Sequence, residues 1–308
     1  MLTQTNVEVV EIATGLLFPY DVLFYRDGSI LVSEQARGVI TRVGVDGSTQ
    51  EVASCGGSPA GMAVGPDGWL YVCNGGQSSW HEVNGMVVRG DAPRSYRNGS
   101  IQRVNVVTSE VQTLYERVDG NFLSSPSDLV FDASGGFWFT DTGKSKGRYR
   151  DRGGLYYAEP DGSEITEMVY PLDAPTGVGL SSGGEVLYVA ESAQGRLYQW
   201  PLSGDGQISG YFGPQHRGSI VADPEGGPLF NSLAIDEADT VYIATSRNGG
   251  FTTISPHDCS WSHTSVDDPL VTGVAFGDAS RETLLLTSSG SGRLMASSWH
   301  TAGQQLAY

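Results

Sequence analysis

Several things are scarce in this 308-residue chain, and each scarcity narrows what it can be. Three cysteines, Cys55, Cys73 and Cys259, are too few and too odd in number for a disulfide framework. None stands in a CxxC pair, so a thiolate zinc site is not expected either. Basic residues number 18 against 35 acidic ones, a formal charge of −17. A polyanion such as a nucleic acid would be repelled rather than neutralised, and an anionic membrane surface is an equally poor partner. No run approaches the roughly 20 apolar residues needed to cross a bilayer. Residues 1–20 lack a basic segment followed by an apolar one, so no signal peptide is read and a cytoplasmic location is expected. There is no GxSxG nucleophile elbow, no phosphate-binding glycine loop leading into a helix, and no helix-period segment of useful length.

What is abundant is glycine, 42 residues, spread through short β-rich runs. Six units repeat along the chain: Pro19–Phe24, Pro59–Val64, Pro126–Phe131, Pro175–Leu180, Phe230–Ile235 and Val271–Phe276. Each leads through a turn such as Asp27-Gly28 or Pro66-Asp67-Gly68 into a second apolar run, such as Trp69–Val72 or Phe137–Thr140. Glycine supplies the positive φ that such turns need, which makes the pattern a hairpin signature. Third strands follow in most units and fourth strands in several, for example Gly99–Val104 and Val111–Tyr115. Four antiparallel strands repeated six times predict an all-β, six-bladed β-propeller over residues 1–308 as one domain. An insertion at residues 75–98 interrupts the second unit, and loops of that size are commonly functional. The segment near Val7–Ile12 is expected to close the ring by pairing with the last blade.

These units together resemble the gluconolactonase/SMP-30 family, most closely at Pro126-Ser127-Asp128-Leu129-Val130-Phe131-Asp132 and Gly135-Gly136-Phe137-Trp138-Phe139-Thr140-Asp141-Thr142-Gly143-Lys144. The resemblance implies a central site at one end of the propeller, a divalent cation, often calcium, and hydrolysis of lactones. It also implies where the ligands lie: one residue into the repeats, as Glu, Asn, Asn and Asp in units one, three, four and five. Here those positions hold Tyr20, Ser127, Thr176 and Asn231, and the Asn often found in the second unit is Ala60. Calcium takes six to eight oxygens and is drawn mainly by carboxylates. The expectation is therefore that the metal site is lost and that no cofactor is required.

Without a cation, chemistry in the same pocket needs side-chain acids, bases or donors. Tyr20 is a candidate donor or general acid, or else a plug for the vacated position. His81, beside Trp80 in the insertion, is a candidate general base, since imidazole titrates near neutrality. Asp141 is a third candidate: it and Lys144 either reach the pocket rim or form a structural ion pair. Asp21 and Asp128, by strand alternation, are expected to point away from the pocket, and Glu34 and Glu191 to be structural. Ala60, Asn74, Trp80, Ser127, Thr176, Asn231, Arg247 and Thr272 are expected to line a small-molecule substrate. The leading expectation is a metal-independent enzyme acting on a carbonyl-containing or cyclic compound by ring opening, ring closure, isomerisation or elimination. Two others stand beside it: a lactonase with rearranged ligands, such as Asn231 with Asp21, and a non-catalytic small-molecule binder.

Overall fold

A computed structural model describes residues 4–211, 213, 215–216 and 218–308. It is a six-bladed β-propeller. The first blade, from the axis outward, is Pro19–Phe24, Ile30–Glu34, Val39–Val43 and Thr49–Ser54. The second is Pro59–Val64, Leu70–Asn74, Ser100–Val104 and Val111–Tyr115, and the third Pro126–Phe131, Phe137–Asp141, Gly153–Ala158 and Ile165–Leu172. The fourth is Pro175–Leu180, Val186–Glu191, Arg196–Gly204 and Ser219–Ala222, the fifth Leu229–Ile235, Val241–Ser246, Phe251–Ile254 and Trp261–Ser265. The sixth takes three strands, Val271–Gly277, Thr283–Ser288 and Arg293–Ser298, from its own repeat. Its outer strand is Val10–Ala13, antiparallel to Arg293–Ser298, so the beginning and end of the ring are stitched together as expected. Gln4–Asn6 goes further and adds a parallel fifth strand to the fifth blade.

The turns behave as their residues dictate. Gly28 adopts φ +84° and its N–H donates to the Tyr25 carbonyl at 2.8 Å, while Asp27 accepts the Ser29 amide. The same aspartate bracket recurs at Asp67, Asp132, Asp236 and Asp278. Second strands sit between two neighbours and between two adjacent blades, so they read as near-continuous apolar runs. Leu70–Cys73 and Phe137–Phe139 are fully buried. Aromatic side chains supply much of the inter-blade packing, with Trp138, Trp200, Tyr71, Phe230 and Phe251 among the largest buried groups. Each such side chain is worth about 1.5–3 kcal/mol of transfer free energy.

All six innermost strands share one irregularity. Their pairing with the second strand slips at the start: between Pro19 and Asp21, Pro59 and Met62, Pro126 and Asp128, Pro175 and Val178, Phe230 and Leu233, and Val271 and Gly273. The residues that fall in the slip are Tyr20, Ala60, Ser127, Thr176, Asn231 and Thr272, together with Gly61, Gly177 and Ser232 in the second, fourth and fifth blades. A bulge breaks the two-residue alternation and re-aims a side chain. It therefore lets both the bulged residue and the one after it approach the axis. We call the end where these strands begin the upper end.

Candidate functional site at the propeller axis

At the upper end the Tyr20 hydroxyl meets the Ser127 hydroxyl at 3.0 Å, joining the first and third blades. Both are buried, and burial pushes the Tyr20 phenol up to about 12, with Arg89 pulling the other way. The phenol therefore stays neutral and can act as a hydrogen-bond donor. Thr176 spends its hydroxyl on the carbonyls of Phe230, at 3.0 Å, and Ala190. Asn231 gives its amide to Leu229 O and Ser246 Oγ. Thr272 bonds to the carbonyls of Pro19 and Tyr20, fastening the sixth blade to the first. Ala60 packs beside Tyr20 in the apolar cluster that also holds Phe18.

This set does not fit a divalent cation. The donors are a phenol, two hydroxyls and an amide, with no carboxylate at the four ring positions. The two hydroxyls on the first and third blades bond to each other. Among the described residues, no group of three or more His, Cys, Asp or Glu side chains is placed to hold a metal ion.

The insertion lies across this end of the axis. It forms a hairpin of Trp80–Val83 and Met86–Arg89. Trp80 rests on Phe18 with ring centroids 4.9 Å apart, the Val87 N–H donates to Gly290 O at 2.9 Å, and Arg89 reaches Gln35. Phe18 holds a left-handed backbone, φ +53°, just before Pro19, so the hairpin packs on a constrained residue. Further along, the Ala92 N–H donates to Ser145 O and Tyr96 bonds to Ser124 O. The insertion as a whole thus touches the sixth, first and third blades. Trp80 and Arg89 are opposite one another and share a face, whereas His81 pairs with Val88 on the other face and is exposed. The expectation that His81 reaches the pocket is not met by that geometry.

Two other expected site residues are turned to structural work. Asp141 is buried and accepts the amides of Ser124, Ser125 and Gly143 at 2.6, 2.7 and 2.8 Å. Burial raises its carboxyl in spite of those bonds. Asn74 does the same in the second blade: its Oδ1 accepts the amides of Ser58 and Gly76, both at 3.0 Å, and its Nδ2 donates to Gly56 O and Gln102 Oε1. Glu34 and Glu191 are the equivalents in the first and fourth blades, accepting the Leu17 and Asp173 amides. Every one stands at the end of a second strand, where the chain must turn back past the start of the first. Arg247, after the second strand of the fifth blade, is exposed at the rim and bonds only loosely to Gly227 O at 3.4 Å.

Lys144 departs from its expected role more informatively. Among the described residues no ion pair joins it to Asp141. Its Nζ is buried and donates to Gly75 O at 2.7 Å and Ser78 Oγ at 3.0 Å, with the Tyr96 ring 5.1 Å away. Burial first, and Arg89 second, lower it to about 7. Arg89, itself exposed on the hairpin, thus acts electrostatically on both Tyr20 and Lys144. Lys144 is legible in the sequence only as an ion-pair partner of Asp141 or a rim residue, and Arg89 not at all, because the surroundings of both depend on how a long insertion folds.

Below the bulged ring, Asp21 and Asp128 do not point away. Both are buried at the axis. Asp21 accepts the Met62 amide of the second blade at 2.8 Å, and Asp128 the Val178 amide of the fourth at 3.1 Å. Ser232 of the fifth blade accepts the Val274 amide of the sixth at 3.2 Å. The partners alternate with glycines, Gly61, Gly177 and Gly273, around the ring. A Cβ on Gly61 would lie 2.5 Å from Asp128 Oδ1 and 2.6 Å from its Cα. Polar side chains on odd blades thus bind amides on even blades, across positions only glycine leaves open. Burial raises Asp21 to about 7 and Asp128 well above the usual carboxylate range.

Comparison with known proteins follows the same lines. The sequence model of the SMP-30/gluconolactonase/LRE-like region matches residues 22–290. Lactonase drp35 of Staphylococcus saprophyticus is 31% identical over 250 residues, covering 80% of this chain and 69% of the relative. Lactonase drp35 of Staphylococcus haemolyticus is 28% identical over 231 residues, 74% of this chain, and the match spans only 63% of that protein's length. Among solved structures, a gluconolactonase from Xanthomonas campestris aligns over 95% of this chain and 89% of its own with a TM-score of 0.73 at 18% identity. Regucalcin from Agrobacterium tumefaciens, a calcium-binding protein, aligns over 99% and 98% with a TM-score of 0.76 at 13% identity, a likeness of fold. The chain therefore belongs to the SMP-30/gluconolactonase/LRE-like family.

Proposed function

We propose that this chain is a lactonase-family enzyme that acts on a small carbonyl-containing or cyclic compound without a cation in the axial ring. The observation that carries this reading is the Tyr20–Ser127 hydrogen bond, which occupies two of the family's ligand positions with neutral groups; Arg89 acts electrostatically on both Tyr20 and Lys144. The family's relatives named lactonase or gluconolactonase supply the reaction class, hydrolysis of a cyclic ester.

The residues suit that reaction in a stated order. The neutral Tyr20 phenol and the Arg89 guanidinium donate to the carbonyl oxygen and stabilise the charge that develops there. Lys144, lowered to about 7 and so neutral in about half of the molecules at that pH, takes a proton from a water molecule as its oxygen bonds to the carbonyl carbon. The ring C–O bond then breaks, and the proton on Lys144 passes to the departing alkoxide, leaving a hydroxy acid. No metal enters any step.

The test is turnover of a panel of γ- and δ-lactones and small cyclic ketones by protein dialysed against EDTA. Hydrolysis that persists in EDTA and falls at least 100-fold in both Tyr20→Phe and Lys144→Met supports the reading. Turnover that appears only on adding calcium or manganese would sink it in favour of rearranged ligands. A binding-only propeller has its own supporting observation, that Thr176, Asn231 and Thr272 have donated their hydrogen bonds to protein acceptors. Binding of panel members with no product, in the wild-type protein, would establish that second reading.

A further inference from the structure

At the opposite end of the axis, beneath Asp21 and Asp128, is a cavity of about 420 Å³. That volume falls in the range of small-molecule pockets, which run from about 300 to 1,000 Å³. Its walls are the lower halves of the innermost strands and are apolar, including Phe24, Leu129, Phe131, Val178, Ile235 and Phe276. Its deep end is formed by the two carboxylates. The segment Gly303–Tyr308 straps the mouth: the Gln304 side chain bonds to Leu180 O at 2.9 Å, and the Tyr308 ring meets Phe131 edge-on at 5.9 Å.

The charge inside this cavity is one-sided. Among the described residues no Lys, Arg or His pairs with Asp21 or Asp128. Arg281 lines the mouth, but it is held by Glu237 at 2.7 Å. The two carboxylates are only 6% exposed and are offset by backbone amides and, at Asp21, by the Ser232 hydroxyl. A buried carboxylate is strongly favoured by a cation brought into the same low-dielectric space. A divalent metal would need six to eight oxygen ligands, which the hydrocarbon walls do not provide. An organic cation needs one charged head at the deep end and apolar surface for the rest.

We propose that this lower cavity is a second ligand site, selective for a small organic ammonium whose hydrocarbon or aromatic body fills the channel and whose head lies against Asp21 and Asp128. It is separate from the upper site and does not depend on the reaction proposed there. Anionic ligands, including the hydroxy acids a lactonase would release, are excluded from it by the same two groups.

The test uses three probes of one shape on the full chain: benzylammonium, benzyl alcohol and benzoate, titrated at pH 7.5 by calorimetry or ligand-observed NMR. The expected result is that benzylammonium binds at least tenfold tighter than benzyl alcohol, with benzoate not binding. Replacing both carboxyls, as Asp21→Asn with Asp128→Asn, should remove that tenfold preference. Ala275→Leu, which adds bulk to the wall, should abolish binding of both probes, and it decides the matter alone if the double variant fails to fold. Lys144→Met, which disables the upper site, should leave benzylammonium binding unchanged. Equal affinity for amine and alcohol, no binding of any probe, or ammonium binding that survives Ala275→Leu would overturn the proposal.

Discussion

Gly61→Ala is the sharpest test of how the blades meet at the axis. The new Cβ would stand 2.5 Å from Asp128 Oδ1, 2.6 Å from Asp128 Cα and 2.7 Å from Ser127 O. Two of these three are backbone atoms, so no side-chain rotation relieves them. Ordinary carbon contacts begin near 3.5 Å, so the second and third blades must part by about 1 Å. That opening would also stretch the Met62–Asp21 bond on the neighbouring side. Overpacking of a tight core costs about 1–3 kcal/mol, and a backbone clash belongs at or beyond the top of that range. At about 2 °C per kcal/mol for a chain of this size, the melting temperature should fall by at least about 6 °C. Gly183→Ala is the control, because its Cβ meets nothing nearer than 3.8 Å in an exposed turn and its φ is not left-handed. It should be neutral or stabilise by about 0.4–1 kcal/mol. Urea melts of both variants report the difference as a change in midpoint at unchanged slope. A Gly61→Ala midpoint equal to that of Gly183→Ala would refute the account of the glycine positions.

Four further outcomes follow from the same geometry. If Lys144 is the base, kcat/KM should drop about tenfold per pH unit below 7 and level off above it, since only the neutral amine accepts a proton; a profile flat from pH 5 to 8 contradicts that role. The groups that set this titration are Arg89, Asp141 and Lys146. In stability, the unfolded chain holds the Lys144 proton up to about 10.5 and the folded one only to about 7. Stability should therefore rise with pH across that window, and Lys144→Met should flatten the rise. Asn74→Ala should destabilise by about 2–4 kcal/mol, because the buried Ser58 and Gly76 amides lose their acceptor; a stable variant with weakened substrate binding would restore Asn74 to the pocket. Restoring carboxylate and amide ligands together, as Tyr20→Glu, Ser127→Asn, Thr176→Asn and Asn231→Asp, should create calcium binding that raises stability by about 2.7 kcal/mol at 100 times Kd. Unaltered melting with and without calcium in that variant would argue that more than the four side chains has changed.

The sequence was sufficient for the repeat, and the repeat for the architecture. Alternating apolar runs, Asp-Gly turns and a six-fold recurrence act over short distances, so local chemistry specifies each blade and its neighbours. Ring closure by the first strands was legible for the same reason, since an unpaired outer edge has one place to go. The four altered ring positions were equally legible, because the frame around Ser127 aligns residue by residue with the family pattern. What only the tertiary structure decided is where side chains point once pairing slips. Strict alternation turns Asp21 and Asp128 outward, yet a bulge at Tyr20 and at Ser127 brings both carboxylates to the axis and lets them bind amides of the next blade. The insertion likewise has no periodicity that fixes its path. Its contacts with Phe18, Gly290 and Gln35, distant in sequence, bring the exposed Arg89 within electrostatic reach of Tyr20 and Lys144 and set His81 on the hairpin's opposite face. Strand ends hide a similar ambiguity: a buried polar residue there serves a ligand or the chain's own orphaned amides equally well by composition. For Asn74 and Asp141, the distances to those amides settled the matter.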